Sequence, residues 1–170
     1  MKTRLHWHFL VATLAVSTTP ALANGMQFGR SQAPAPLEGT WQIVVAPYVC
    51  STGAAIPNAQ FRSRVTFVAG GTLLETTSNP SFQPGQRGPG MGAWERVGRE
   101  SYRVVFEAYV LFTSTTTPPR YQRGEQRVEQ YIEMDGTDAW TSTAGVFFRD
   151  DAGNSISSGC MRATGSRMRS

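Results

Sequence analysis

The 170-residue sequence predicts an all-β fold, a single antiparallel eight-stranded up-and-down β-barrel. From Leu37 onward, apolar and polar residues alternate with the two-residue period of a strand. No segment there has the spacing of an ordinary amphipathic helix, and clusters of Gly, Pro, Asn and Asp favour turns between the segments. The expected strands span residues 38–48, 60–69, 72–78, 92–97, 101–112, 122–134, 137–148 and 155–168.

The fifth segment shows the alternation most clearly. In SYRVVFEAYVLF, residues 101–112, the even-numbered positions are aromatic or apolar, whereas Arg103 and Glu107 fall on the opposite face. Aromatic and β-branched residues fit the pleated surface of a half-buried strand. This segment is therefore expected to place one face in the core.

The connections between the strands also alternate. Short connections with hairpin-turn residues follow the second, fourth and sixth strands, at 69–71, 98–100 and 135–136. Long connections follow the others, at 49–59, 79–91, 113–121 and 149–154. Because alternate connections of a meander lie at opposite ends, one end of the barrel should carry the short turns and the other all the long loops.

The N-terminal segment predicts export. Residues 1–23 resemble a cleavable signal peptide, with basic residues, a short apolar run and the small-x-small pattern of Ala21-Leu22-Ala23. Residues 24–36 end in an Ala/Pro run and are expected to form a flexible leader before a barrel domain at 37–170. No later stretch approaches the roughly 20 apolar residues of a transmembrane helix. We therefore expect a bacterial periplasmic or extracellular protein without an integral membrane segment.

Closure of the predicted barrel would bring the two cysteines of the chain together. Eight successive strands can close on themselves, which removes the unpaired edges of an open sheet. Antiparallel pairing of the first and last strands would place Cys50 near Cys160, and in an exported protein a disulfide is the favoured interpretation. Two unrelated thiols are the alternative interpretation of the cysteines. A two-sheet β-sandwich is the competing architecture.

Residue content excludes several classes of function. Lys2, His6 and His8 lie in the signal segment, so the expected mature chain has neither lysine nor histidine. Its 14 arginines face 12 acidic residues, and a net charge of +2 is too small to predict nucleic-acid binding. A Ser-His-Asp triad, a Cys-His pair, a Schiff-base lysine and a histidine-ligated zinc or haem are unavailable. We expect no cofactor and no metal site.

Carboxylates and tyrosines leave acid–base chemistry open. Most acidic residues alternate with apolar neighbours and are expected on the solvated face, as Glu107 is out of phase with Phe106. The acidic candidates are Glu75, Glu95, Glu107, Glu125, Glu129, Glu133, Asp135, Asp138, Asp150 and Asp151. A barrel isomerase or cyclase is our third hypothesis, and it requires an inward, desolvated glutamate of raised pKa beside a cavity.

The first strand carries a family resemblance. It opens LEGTWQIVV, and Gly39-Thr40-Trp41 resembles the G-x-W signature of lipocalins and related calycin barrels. In that family the tryptophan plugs the closed end and an arginine late in the last strand packs across it, which implies that Arg167 packs on Trp41 here. The resemblance implies a lipocalin-like barrel, here without the family's C-terminal helix. Allene-oxide-cyclase-like and dirigent-like barrels are related alternatives.

The inward faces predict a binding site for a small molecule. The expected lining comprises Phe106, Val110, Phe112, Val146 and Phe148, with Trp94 and Arg96 at the barrel mouth. Small residues such as Ala144 would leave space for a ligand, and a filled core is the alternative. If the strand end bends outward, Arg96 lies in solvent instead.

Two further hypotheses of function follow from these features. The leading one is an exported, non-catalytic barrel that binds a small apolar or amphiphilic molecule. The second is a protein-interaction or enzyme-inhibitor module that presents the four long loops to a partner.

Overall fold

The computed structural model describes residues 36–113 and 121–169, and the regular structure within these ranges is all β-strand. The strands are β1 (Gly39–Tyr48), β2 (Phe61–Val68), β3 (Thr72–Thr77), β4 (Gly90–Arg96), β5 (Ser101–Thr113), β6 (Tyr121–Asp135), β7 (Ala139–Asp150) and β8 (Ser155–Arg167). Each strand pairs antiparallel with the next, and β8 pairs with β1 to close the barrel. The predicted barrel is confirmed, and its closure excludes the two-sheet sandwich.

Some predictions fall outside the described residues. These are the signal peptide at 1–23, the leader up to residue 35 and residues 114–120 of the third long loop. The side chain of Phe112 is also outside the description.

The register between β1 and β8 brings the cysteines together. Trp41 lies opposite Arg167, and Tyr48 lies opposite Cys160. Cys50 follows β1 in a turn and forms a disulfide with Cys160, with their Cα atoms 5.3 Å apart. The predicted disulfide is therefore confirmed.

Aromatic side chains fill the end of the barrel that carries the short turns, which we call the closed end. The rings of Trp41 and Trp140 have centroids 6.1 Å apart, and both residues are buried. The indole N–H of Trp41 donates to the carbonyl of Leu37 at 2.9 Å. Trp140 packs directly on Gly165, where a Cβ atom would lie 2.0 Å from the indole ring.

Arg167 covers the outside of this plug. Its guanidinium carbon lies 4.3 Å from the centre of the Trp41 ring, within cation–π range. The same guanidinium donates to the carbonyl oxygens of Thr137 at 2.8 Å and Glu38 at 2.6 Å. Gly39 has a φ of +120°, and a Cβ there would lie 2.7 Å from the guanidinium. Gly39, Trp41 and Arg167 thus lie together at the closed end.

Candidate ligand-binding cavity

A cavity of about 60 Å³ lies inside the half of the barrel that faces the long loops. Most of its lining is aliphatic or aromatic, and every strand except β4 contributes to it. Representative apolar lining residues are Ile43, Val65, Val104, Phe106, Val128 and Val146. The interior is therefore neither fully packed nor widely hollow.

One wall of the cavity is polar. We define the polar cluster as Ser63, Glu75, Arg87 and Gln126, which belong to β2, β3, the β3–β4 loop and β6. Arg87 donates to Glu75 Oε2 at 2.8 Å and from its Nε to Gln126 Oε1 at 2.6 Å. The hydroxyl of Ser63 donates to the other Glu75 oxygen at 3.1 Å. The four side chains form one hydrogen-bonded network.

The ion pair of this cluster is buried. The side chains of Arg87 and Glu75 are 5% and 6% exposed. A charge in a low-dielectric interior is costly unless an opposite charge and hydrogen bonds compensate it. Removing either partner would therefore leave an uncompensated charge beside the cavity.

The loop between β3 and β4 delivers Arg87 to the interior. We call residues 78–89 the mouth loop. Its last part pairs with β5, since the N–H of Gly88 donates to Tyr109 O at 2.9 Å and the N–H of Leu111 donates to Gln86 O at 2.8 Å. Its first part contributes Phe82, whose ring lies 6.4 Å from that of Phe148. Asn79, Phe82 and Arg87 all line the cavity, so the mouth loop forms part of its wall.

Gly90 allows the polar cluster to approach Phe106. A Cβ atom at this position would lie 2.8 Å from Glu75 Oε2 and 2.8 Å from the Phe106 ring. Both distances are below van der Waals contact. Glycine at this position therefore serves close packing inside the barrel.

The predicted lining residues separate into groups. Phe106 and Val146 line the cavity. Val110 is fully buried and forms an isolated β-bridge with Arg87, but it does not line the cavity. Phe148 packs against Phe82 of the mouth loop.

Trp94 lies away from the mouth, in the closed half of the barrel. Strand β4 begins at Gly90, two residues before the predicted start, and runs towards the closed end. The ring of Trp94 lies 5.7 Å from Tyr102 and 6.1 Å from Phe67. Its indole N–H donates to the carbonyls of Val68 and Thr72. Trp94 is thus part of the packed core.

Arg96 lies at the end of β4, in solvent. Its side chain donates to the carbonyls of Gly98 and Arg99 in the adjoining turn. It therefore stabilises a short turn and does not face the cavity.

The polar cluster was not predicted from the sequence. Glu75 was grouped with outward carboxylates, although it shares the phase of buried Leu73. Ser63 and Gln126 share the phases of Val65 and Val128, so alternation alone could have placed them inside. Arg87 lies in a loop, where no periodicity indicates the direction of a side chain.

Another carboxylate organises a long-loop turn outside the cavity. Hydrogen bonds from the side chain and backbone of Asn154, and from the backbone of Ala152 and Gly153, lower the pKa of Asp150. The Asn154 amide and backbone N–H donate to Asp150 at 3.0 and 2.8 Å. Asp150 therefore closes the β7–β8 turn in its ionised form.

Comparisons with known proteins do not indicate a function for this chain. No family model, curated protein or solved structure is significantly similar to this chain. Among the described residues, no helix is long and apolar enough to cross a membrane.

Proposed function

We propose that this protein is an exported, non-catalytic barrel that binds a small molecule in the cavity. The observation that carries the proposal is an apolar interior cavity with one hydrogen-bonding wall, the usual composition of small-molecule sites. The lining provides apolar contact for the body of a ligand, and the polar cluster provides the contacts that orient it.

The size of the cavity limits the ligand. Its volume of about 60 Å³ is small for a ligand-binding site. Sites for larger ligands usually enclose about 300–1,000 Å³. A molecule of more than a few heavy atoms therefore enters only when the mouth loop moves away from the interior.

The closed end supports kinship with lipocalin-like barrels. Arg167 packs over Trp41, as the resemblance of the G-x-W segment implies. In such barrels the plug stabilises one end and leaves the opposite end for ligand entry. The cavity of this protein lies towards that opposite end.

The inward position of Glu75 also meets one requirement of the cyclase hypothesis. However, one of its oxygens accepts a hydrogen bond from Ser63 and the other accepts one from Arg87. A substrate could therefore reach this carboxylate only by displacing one of these two donors. The geometry therefore favours binding over catalysis.

A cavity-filling variant tests the proposed function. Small uncharged molecules such as n-propanol should shift the methyl NMR signals of Val128, Val146 and Met161 in the wild-type protein. Ala144→Leu introduces a larger side chain at a lining position and should weaken these shifts at least tenfold. The matched control, Ala93→Leu on the exposed face of β4, should bind like the wild type.

The native ligand can be sought in the same samples. Solvent extraction followed by mass spectrometry should recover a small molecule from the wild type and not from Ala144→Leu. Absence of both a retained molecule and cavity-specific NMR shifts would contradict the proposed function.

A further inference from the structure

The two charges that line the cavity come from different parts of the fold. The carboxylate of Glu75 belongs to a barrel strand, whereas the guanidinium of Arg87 belongs to the mouth loop. These are the charged side chains among the residues of the lining. The strand wall of the cavity is therefore anionic, and the loop supplies the neutralising charge.

If the mouth loop moved away from the interior, the negative charge of the strand wall would no longer be neutralised. Arg87 would leave with the loop. Its hydrogen bonds to Glu75 Oε2 at 2.8 Å and to Gln126 Oε1 at 2.6 Å would then be lost. Ser63 would still hold the other Glu75 oxygen in place. The carboxylate of Glu75 and the carboxamide oxygen of Gln126 would remain, both positioned to accept hydrogen bonds from one cation.

We propose that the cavity binds a small organic cation, an ammonium or guanidinium group on an apolar body, and that Arg87 occupies the head-group position when the ligand is absent. This inference rests on the proposed function and names its ligand class. The cation replaces Arg87 at Glu75 and Gln126, while its apolar part packs on Phe106 and the aliphatic lining. Arg87 is thus an internal competitor of the ligand.

Other head groups fit the polar cluster less well. A carboxylate that bound Arg87 would displace Glu75 and place two anions in one buried site, which electrostatic repulsion opposes. An uncharged ligand that displaced the loop would leave Glu75 without a cation, and such an unpaired buried charge is strongly unfavourable. A cation is the head group that keeps the site neutral after the loop has moved.

Chemical replacement of the Arg87 side chain tests this proposal. Arg87→Ala removes a fragment equivalent to ethylguanidinium, and N-ethylurea and propanoate are neutral and anionic probes of similar size. Ethylguanidinium should bind Arg87→Ala at least tenfold more tightly than either probe and at least tenfold more tightly than it binds the wild type. It should also raise the melting temperature of Arg87→Ala, whereas N-ethylurea at the same concentration should not.

Two further variants separate this site from general cation binding. Glu75→Gln/Arg87→Ala removes both charges and should lose the preference for ethylguanidinium over N-ethylurea. Arg64→Ala removes an exposed arginine of β2 and should gain no affinity for the cation.

The wild-type protein supplies the same test if Arg87→Ala does not fold. Ethylguanidinium should accelerate hydrogen exchange at the amides of Gly88 and Leu111, which hold the mouth loop on β5, and N-ethylurea should not. The amide of Trp94, which donates to Gly71 O at 2.7 Å in the closed half, should remain unchanged.

The outcomes distinguish this inference from the proposed function. Equal binding of the three probes to Arg87→Ala, or a cation preference that persists in the double variant, would overturn the inference. If n-propanol still gives cavity-specific shifts in the wild type, only the ligand class is wrong. If no probe reaches the cavity in either protein, both proposals fail.

Discussion

Gly90 lets side chains from β3 and β5, the two strands that flank β4, meet inside the barrel. The Glu75 carboxylate and the Phe106 ring occupy the space that a Cβ atom would need. Glu75 is consequently held where both Ser63 and Arg87 reach it. The absence of a Cβ atom at residue 90 therefore permits the Glu75 carboxylate to lie at this position beside the cavity.

Gly90→Ala should destabilise the protein through overpacking. We expect the free energy of unfolding to fall by about 1–3 kcal/mol, because neither the carboxylate nor the ring can retreat without disturbing a buried neighbour. Urea denaturation measures this change. Gly159→Ala is the matched control, since a Cβ there has no atom within 4 Å. Equal stability of the two variants would show that the packing at Gly90 is looser than described.

At the scale of elements, the alternation of apolar and polar residues predicted which strand faces point inward. It did not predict where a strand begins after a long loop. Phe106 and Val146 line the cavity as their phases predicted. Trp94 was predicted at the mouth because the fourth strand was expected to begin at residue 92, whereas β4 begins at Gly90 and carries Trp94 further into the closed half. Arg87 could not be predicted, because hydrogen bonds between the mouth loop and β5 determine its direction.

The β7–β8 turn should respond to acid. Because hydrogen bonds lower the pKa of Asp150 in the folded protein, its ionisation stabilises the turn above the ordinary aspartate pKa of about 3.9. This stabilisation is lost as the pH falls through the lowered pKa. NMR titration of the Asp150 carboxyl should therefore show a midpoint below 3.9.

Asn154→Ala should raise that midpoint towards the ordinary value, because it removes the side-chain donor to Asp150. Gln60→Ala, an exposed change in another long loop, should leave it unaltered. An unchanged midpoint in Asn154→Ala would mean that the backbone donors alone hold the carboxylate.

For the whole molecule, closure of the barrel follows from strand order and from the β1–β8 register. Tryptophan, arginine and cysteine positions in the sequence indicated this register, and Trp41 lies opposite Arg167 as expected. Whether the interior was hollow could not be predicted, since a cavity depends on how all eight inner faces interdigitate. The described cavity is the space that this packing leaves.

The disulfide should contribute strongly to global stability. It links residues 110 positions apart, and the loop-entropy relation gives about 4–5 kcal/mol for a loop of this length. Cys50→Ser/Cys160→Ser should therefore reduce the urea midpoint substantially. Reduction of the wild type should give the same midpoint as the variant, and no change in either would contradict this role of the disulfide.

The buried pair of Glu75 and Arg87 also limits how this barrel can be re-engineered. Surface loops usually tolerate insertions and deletions better than the strands that they connect. Here the mouth loop carries half of an interior ion pair, so a transplanted loop must bring its own cation or be accompanied by neutralisation of Glu75. The mouth loop and the interior must therefore be changed together, although 12 positions separate the two charges in the sequence.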